Sequence, residues 1–512
     1  MIRFFRKYHK WLGVILTYII LSFVFSGIIL NHREFFSKID VKRKLLPPEY
    51  RYVNWNNAAV KSTLKISPDS ILIYGNIGIW LTDSTFSGYT NFTEGFPKGS
   101  DNRKIFQMLH TKNKEILAAT LSGLYRYNAP EKKWNSVTLP VKEKPIVSLI
   151  EKEDTVFVLT RSLLLTTTDL QKFSVKQLPL PEGYDNKTGL FKTLWVIHSG
   201  EIYGKIGKLL IDFAGLIFAF LTITGFIVFV NKIILKRPGK SVEAKSRIKG
   251  SNRWNIKWHN KVGWITLVLL LINTTTGMFL RPPLLIAIAN SKVGKIPHTE
   301  LATPNPWFDL LRRIYYDDSK KRFIVAAMDG FYYSDDNFGS DLKRFPYQPP
   351  VSVMGVTVLE KTDSVKYLVG SFEGLFEWDY QTGQTYDYVV KKPYAAPVRA
   401  GRPIGDNLVS GYTRDFPGGE YFFDYNSGAS GINSSVEFPA MPAQIISSEP
   451  MSLWNAALEF HTGRIYQSLI GPFYVLIVPL TGLSVLFILI SGFIVWLSPK
   501  YKSGVLSKKS VP

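Results

Sequence analysis

The chain has 512 residues, no cysteine, and 62 Lys and Arg against 40 Asp and Glu, a formal net charge of +22. The missing thiols exclude disulfides, thiolate zinc sites, iron–sulfur clusters and covalently attached c-type haem. The basic excess raises nucleic-acid binding as a function, but four basic residues before the first apolar run, nine within 231–257 and four in the tail, less Glu243, account for sixteen of the 22 charges.

The first apolar run, Trp11 to Leu30, is uncharged and long enough for a helix to cross a ~30 Å hydrocarbon core. It lacks the short core and small-residue cleavage site of a removable leader, so it is expected to stay as an anchor. Further spans are predicted over Leu209 to Val230, Val262 to Leu280 and Leu469 to Leu497. Lys and Arg collect in short cytoplasmic segments, which places both termini and the basic loop inside and the two long segments outside. The predicted order begins with a cytoplasmic N-terminus and first span (1–32), a β-rich exported domain (33–197), a second span (198–230) and the basic loop (231–258). A third span (259–283), a second β-rich exported domain (284–460), a fourth span (461–498) and a cytoplasmic tail (499–512) follow. The fold class expected is an internally duplicated four-helix membrane bundle with β-rich, propeller-like domains in the periplasm of a bacterial cell.

Local sequence supports the duplication. His9, Gly13 and Gly27 match His259, Gly263 and Gly277 with identical offsets of 4 and 18, while "HSGEIYGKIG" from His198 matches "HTGRIYQSLIG" from His461. "GLIFAFLTITGFIVFV" from Gly215 likewise matches "GLSVLFILISGFIVWL" from Gly482. In the exported segments, units around Gly78-Ile79-Trp80 and Gly123-Leu124-Tyr125 lie 45 residues apart, and those around Gly330-Phe331-Tyr332 and Gly374-Leu375-Phe376 lie 44 apart. Propeller blades recur at ~40–50 residues. Whether the two segments close one shared propeller or fold as two domains stays open at this level.

Only seven histidines occur, and four form equivalent pairs. His9 and His259 sit at the cytoplasmic edge of the first and third spans; His198 and His461 sit at the outer edge of the second and fourth. A pseudo-twofold axis along the membrane normal would bring each pair together, as bis-imidazole ligation of two flat b-type haems requires. On the first helix Gly27 shares the face of His9, and the glycine stripe is expected to leave room for the porphyrin. A single boundary histidine is otherwise an interfacial side chain. No H-E-x-x-H or comparable zinc spacing occurs. His32 has Pro282 as its counterpart and so is expected to play a secondary role, and His110 and His298 stand alone. Arg6, Lys10, Arg253 and Lys257 lie near enough in sequence to the inner histidines to pair with haem propionates, or serve only as orientation signals.

"HKWLGVILTYIILSFVFSGIILNH", "HSGEIYGKIGKLLIDFAGLIFAFLTITGF", "WHNKVGWITLVLLLINTTTGM" and "HTGRIYQSLIGPFYVLIVPLTG" together resemble the PepSY-associated transmembrane family, iron-regulated inner-membrane proteins that include ferric-siderophore reductases. The resemblance implies two haems held by His9, His198, His259 and His461. It also implies an oxidoreductase that takes electrons from a cytoplasmic or quinol donor and reduces Fe(III) in a periplasmic siderophore for iron acquisition. The large loops depart from the family's usual PepSY α+β domain. The rival expectation is a non-redox, membrane-anchored β-propeller sensor or chelate-binding scaffold, with Tyr125, Trp134 and Trp378 as exposed aromatics, although in blades such residues are usually core. No nucleotide or flavin motif is present, so a cytoplasmic donor would be a separate molecule.

Overall fold

A computed structural model of the chain describes residues 1–395 and 405–502. It divides into a helical unit, Met1–Arg33, Asn186–Ala302 and Trp454–Pro512, and a β unit, Glu34–Asp185 and Thr303–Leu453. Both long segments therefore contribute to a single β unit, and residues 186–197 and 284–302 go with the helices.

In the helical unit, Glu201–Lys236 and Arg464–Ser498 are continuous segments long and apolar enough to cross a membrane. The first and third predicted spans are not straight. α1 (Ile2–Ile15) and α2 (Thr17–Asn31) meet at 59°, and a second helix pair, Val242–Ile265 and Leu267–Met278, meets at 69°. Counting each bent pair as one span raises the number from two to four. The hinges at Leu16 and Thr266 each lie seven residues after a histidine, His9 or His259. At one, Thr17 Oγ1 donates to Gly13 O at 2.8 Å; at the other, Thr266 Oγ1 donates to Val262 O at 2.8 Å. Hydroxyl bonds to the i−4 carbonyl bend helices.

Two short helices, α3 (Leu190–Ser199) and, later in the chain, Leu453–His461, carry His198 and His461 near their C-terminal ends. Gly200 (φ 78°) and Gly463 (φ 75°) follow each histidine by two residues. Their left-handed backbone ends the helix at little cost because glycine has no Cβ. α4 (Gly204–Lys236) is the long helix after Gly200; α5 (Val242–Ile265) and α6 (Leu267–Met278) are the second bent pair. α7 is Leu453–His461, and α8 (Ile477–Lys502) follows a 3₁₀ turn opened by Gly471 and Pro472. α2, α4 and α8 pack through Ile20, Val24, Ala219 and Val485, and α4 meets α6 through Ala214, Ile217, Leu221 and Leu270. Leu209, Phe213, Leu216, Ile223, Leu480, Leu483 and Ile490 stay exposed, an apolar surface suited to lipid.

Among the described residues the β unit contains six antiparallel meander sheets of three or more strands, three from each segment. Their first strands are Ser62–Ser67, Ile105–His110, Ile146–Lys152, Leu311–Asp317, Val356–Asp363 and Val409–Thr413. Strand side chains alternate between faces, and here both faces are buried. Ile71 and Ile73 of the first sheet pack with Tyr421 and Phe423 of the sixth, while Leu72 and Tyr74 pack with Ile105 and Met108 of the second. Phe323 and Val325 of the fourth sheet join Leu159 and Leu164 of the third, whereas Ile324 and Ala326 join Tyr367 and Val369 of the fifth. Further cores link the second sheet to the third and the fifth to the sixth. Every sheet thus shares a core with two neighbours, and the cycle closes. Tyr125, Trp134 and Trp378 are buried at 4%, 1% and 0% exposure, so of the two readings of these aromatics the core one holds and the exposed one does not.

Candidate functional site

The four symmetry-selected histidines meet in two pairs. His9 of α1 and His259 of α5 have ring centres 6.1 Å apart with planes at 89°; His198 of α3 and His461 of α7 have centres 6.0 Å apart with planes at 43°. Two imidazoles sharing one metal through Nε2, at ~2.0–2.1 Å each, place their ring centres ~6 Å apart. The spacing fits a single metal between the rings.

Each ring is held in the same way by a facing helix. His9 Nδ1 donates to Ile488 O at 2.9 Å, His198 Nδ1 to Asn273 O at 3.0 Å and His461 Nδ1 to Phe23 O at 3.1 Å; His259 bonds to Leu221 O. In every case a glycine lies four residues beyond the accepting residue: Gly492, Gly277, Gly27 and Gly225. A Cβ built on these glycines would meet Cε1 of the same histidine at 2.8, 2.5, 3.2 and 3.4 Å. The glycines therefore clear space for imidazoles. Gly13 and Gly263, the other two glycines of the stripe, face open space: a Cβ at Gly13 would meet nothing within 4 Å and one at Gly263 only Leu221 at 3.8 Å.

A Ser or Thr precedes each of these glycines. Ser26 Oγ and Thr224 Oγ1 each donate to their own helix and lie 3.0 Å from Nδ1 of His461 and His259. Ser491 Oγ lies 3.4 Å from His9 Nδ1, and Thr276 spends its hydroxyl on Ile272 and Asn273 carbonyls. With the Nδ1–H occupied, the Nε2 lone pair is left for a metal. Gly225, Gly492 and the paired hydroxyls were not singled out from sequence. Their signal was the repeated "[S/T]-G" inside each span.

The other histidines stand elsewhere. His32 Nε2 lies 2.7 Å from Asp212 Oδ2, whose other oxygen accepts from Asn31 at 2.8 Å. His298 is exposed on a loop and His110 ends a strand of the β unit. Arg6, Lys10, Arg253 and Lys257 are exposed, Lys10 stacking on Trp11 at 4.7 Å. Near the second pair, sequence reasoning missed Arg281, one helical turn past Gly277, whose buried Nε has no hydrogen-bond partner. Among the described residues no three His, Asp or Glu side chains converge as metal ligands.

The PepSY-associated TM region family matches residues 2–232 and again residues 197–498. The chain belongs to this family. No curated protein matches. Among solved structures, an extracellular domain assigned to a one-component system of B. thetaiotaomicron is similar at 11% identity and TM-score 0.35, covering 77% of this chain and 40% of that one. PorZ, a surface component of the type-IX secretion system of Porphyromonas gingivalis, is similar at 12% identity and TM-score 0.32, covering 75% of this chain and 32% of its own. The chain thus spans well under half the length of either.

Proposed function

We propose that this PepSY-associated membrane protein is a di-haem b-type cytochrome of the bacterial inner membrane that passes electrons outward to reduce Fe(III) in a periplasmic siderophore. In this reading the helical unit is a duplicated four-span bundle with both termini and residues 231–258 in the cytoplasm. The six-sheet cycle is a six-bladed β-propeller in the periplasm. The observation that carries it is the cradle used four times, which presents two histidine pairs at one-metal spacing.

His9 and His259 would hold one haem, and His198 and His461 the other. Haem supplies one-electron transfer there. The protein's share is positional. Carbonyl bonds from Ile488, Leu221, Asn273 and Phe23 hold each ring by Nδ1, and the glycines set the approach of the helices. Arg281 offers a buried N–H to a propionate carboxylate, which would satisfy an otherwise costly orphan donor. Iron release follows from the acceptor's chemistry: the hard oxygen donors of a siderophore hold Fe(III) more tightly than Fe(II). The donor is a quinol or a cytoplasmic reductant.

The test begins with colour. Protein produced with ample haem and purified in detergent should show a reduced α-band; a colourless product would overturn the reading and favour the sensor or scaffold. The reduced protein, freed of dithionite, should then reoxidise on mixing with ferric hydroxamate and catecholate siderophores, with stoichiometric Fe(II) captured by a ferrous chelator. A haem-loaded protein that stays reduced would eliminate siderophore reduction.

A further inference from the structure

The six first strands of the β unit surround a cavity of about 310 Å³, within the ~300–1,000 Å³ range of small-molecule sites. Two cations line it, and among the described residues neither makes an ion pair with a carboxylate. Lys61 Nζ rests 4.0 Å over the Phe106 ring and, among the described residues, finds no hydrogen-bond acceptor. Arg313 donates to two neutral oxygens, Gln107 Oε1 at 3.1 Å and Thr357 O at 2.6 Å. That leaves part of its five-donor fork unused. Gln107 Oε1 also accepts from Ser148 Oγ at 2.8 Å and Leu149 N at 3.1 Å, so Arg313 is held by a fixed wall.

The carboxylates of the lining are committed elsewhere. Glu360 faces Arg414 at 3.6 Å and lies within electrostatic reach of Arg313 without a hydrogen bond to it, and Glu151 accepts from the Lys112 N–H at 2.9 Å. Lys104, which also acts on Lys61, is paired with Asp101 at 2.8 Å. Burial, with Lys104 and Arg313 close by, pushes the Lys61 ammonium down to about 7, as expected of a cation kept from both water and a counter-ion. Burial lowers Arg313 as well.

We propose that this cavity binds a small organic monocarboxylate, its carboxylate seated between the Lys61 ammonium and the Arg313 guanidinium. The planar fork of arginine matches a carboxylate with two parallel bonds. Glu360 in the same lining opposes a second negative charge, which disfavours phosphate and dicarboxylates. Tyr74, Tyr316 and Tyr412 complete the wall and offer aromatic surface to the rest of the ligand. This assignment is independent of the redox reading, because every residue it uses belongs to the β unit.

Equilibrium dialysis of radiolabelled benzoate and acetate against the full-length protein in detergent tests it, with unlabelled phosphate and chloride as competitors. The expected result is saturable one-to-one binding of at least one carboxylate, resisted weakly by phosphate and chloride. Lys61→Arg should retain it, and Lys61→Gln and Arg313→Gln should each weaken it at least tenfold, with unchanged near-ultraviolet circular dichroism showing that they fold. No saturable carboxylate binding by the wild type, equal competition by phosphate, or undiminished binding in both Gln variants would each overturn the proposal. If the Gln variants do not fold, loss of binding in Arg313→Lys, which keeps the charge and removes the fork, decides it; retained binding there counts against.

Discussion

The two histidine pairs use one cradle but set it in different local structure. His9 and His259 ride inside helices, seven residues before a hinge, and face each other edge-on at 89°. His198 and His461 sit close to helix ends closed by left-handed glycines, with rings tilted by 43°. The difference teaches that Nδ1–carbonyl bonding and a glycine floor define the site, whereas the element that delivers the ring is interchangeable. Within each pair the floors are unequal: Gly492 under His9 and Gly277 under His198 are tight, and Gly225 and Gly27 are looser.

The largest effect should come from deleting a ring. His9→Ala and His259→Ala should remove the same haem, His198→Ala and His461→Ala the other, and haem per protein should fall from two toward one in every single variant, as pyridine haemochrome assay would report. A site left with one of its two imidazoles would hold its haem only weakly. A His9→Ala, His259→Ala double variant that kept both haems or lost both would break the pairing on which the comparison rests.

The histidines were legible because their offsets to neighbouring residues repeat along the chain. Which glycine serves which histidine was not, since each cradle joins two helices: Gly27 and Gly277 stood out on the helices of His9 and His259 but lie under His461 and His198, and Gly492 is 483 residues from His9. The β unit divides in the same way. The sheets whose third strands begin at or beside Gly78, Gly123, Gly330 and Gly374 were visible as glycine–apolar–aromatic turns. The third unit of the first segment was only weakly marked because its turn has Ser162 and Leu163 where the second has Ser122 and Gly123. Thr160 Oγ1 still accepts from both backbone N–H groups, at 3.1 and 2.8 Å, just as Thr120 does at 3.1 and 3.0 Å. In the sixth sheet Gly428 is followed by Ala429 in place of a large apolar residue. Closure depends on Ile71 and Ile73 meeting Tyr421 and Phe423, a contact beyond any local period.

A smaller effect should follow from raising the floors. Alanine gains ~1 kcal/mol over glycine in a helix interior, whereas overpacking costs ~1–3 kcal/mol. At Gly277 and Gly492 the new methyl would come within 2.5 and 2.8 Å of the ring, and at Gly27 and Gly225 within 3.2 and 3.4 Å. Haem retention should therefore fall in the order Gly225→Ala, Gly27→Ala, Gly492→Ala, Gly277→Ala, the first near wild type and the last losing most of the His198–His461 haem. Equal retention across the four would mean that the glycines serve helix contact alone.

The smallest effect leaves haem content untouched and reads ring orientation directly. In a low-spin ferric haem with two imidazoles, perpendicular rings donate equally into the two out-of-plane iron orbitals and leave them nearly degenerate. The electron paramagnetic resonance signal is then broad, with one dominant large-g feature. Rings turned toward a common direction split those orbitals and give a resolved three-line rhombic signal. The Nδ1 bonds that fix each ring, to Ile488 and Leu221 in one pair and to Asn273 and Phe23 in the other, make orientation a property of the protein. At 89° the His9–His259 pair should give the large-g signal, and at 43° the other pair should lie toward the rhombic form. His9→Ala should abolish the first signal and His198→Ala the second. Two superimposable signals, or the reverse assignment, would show that haem insertion turns the rings away from their cradles and that the contrast between the pairs belongs to the helices alone.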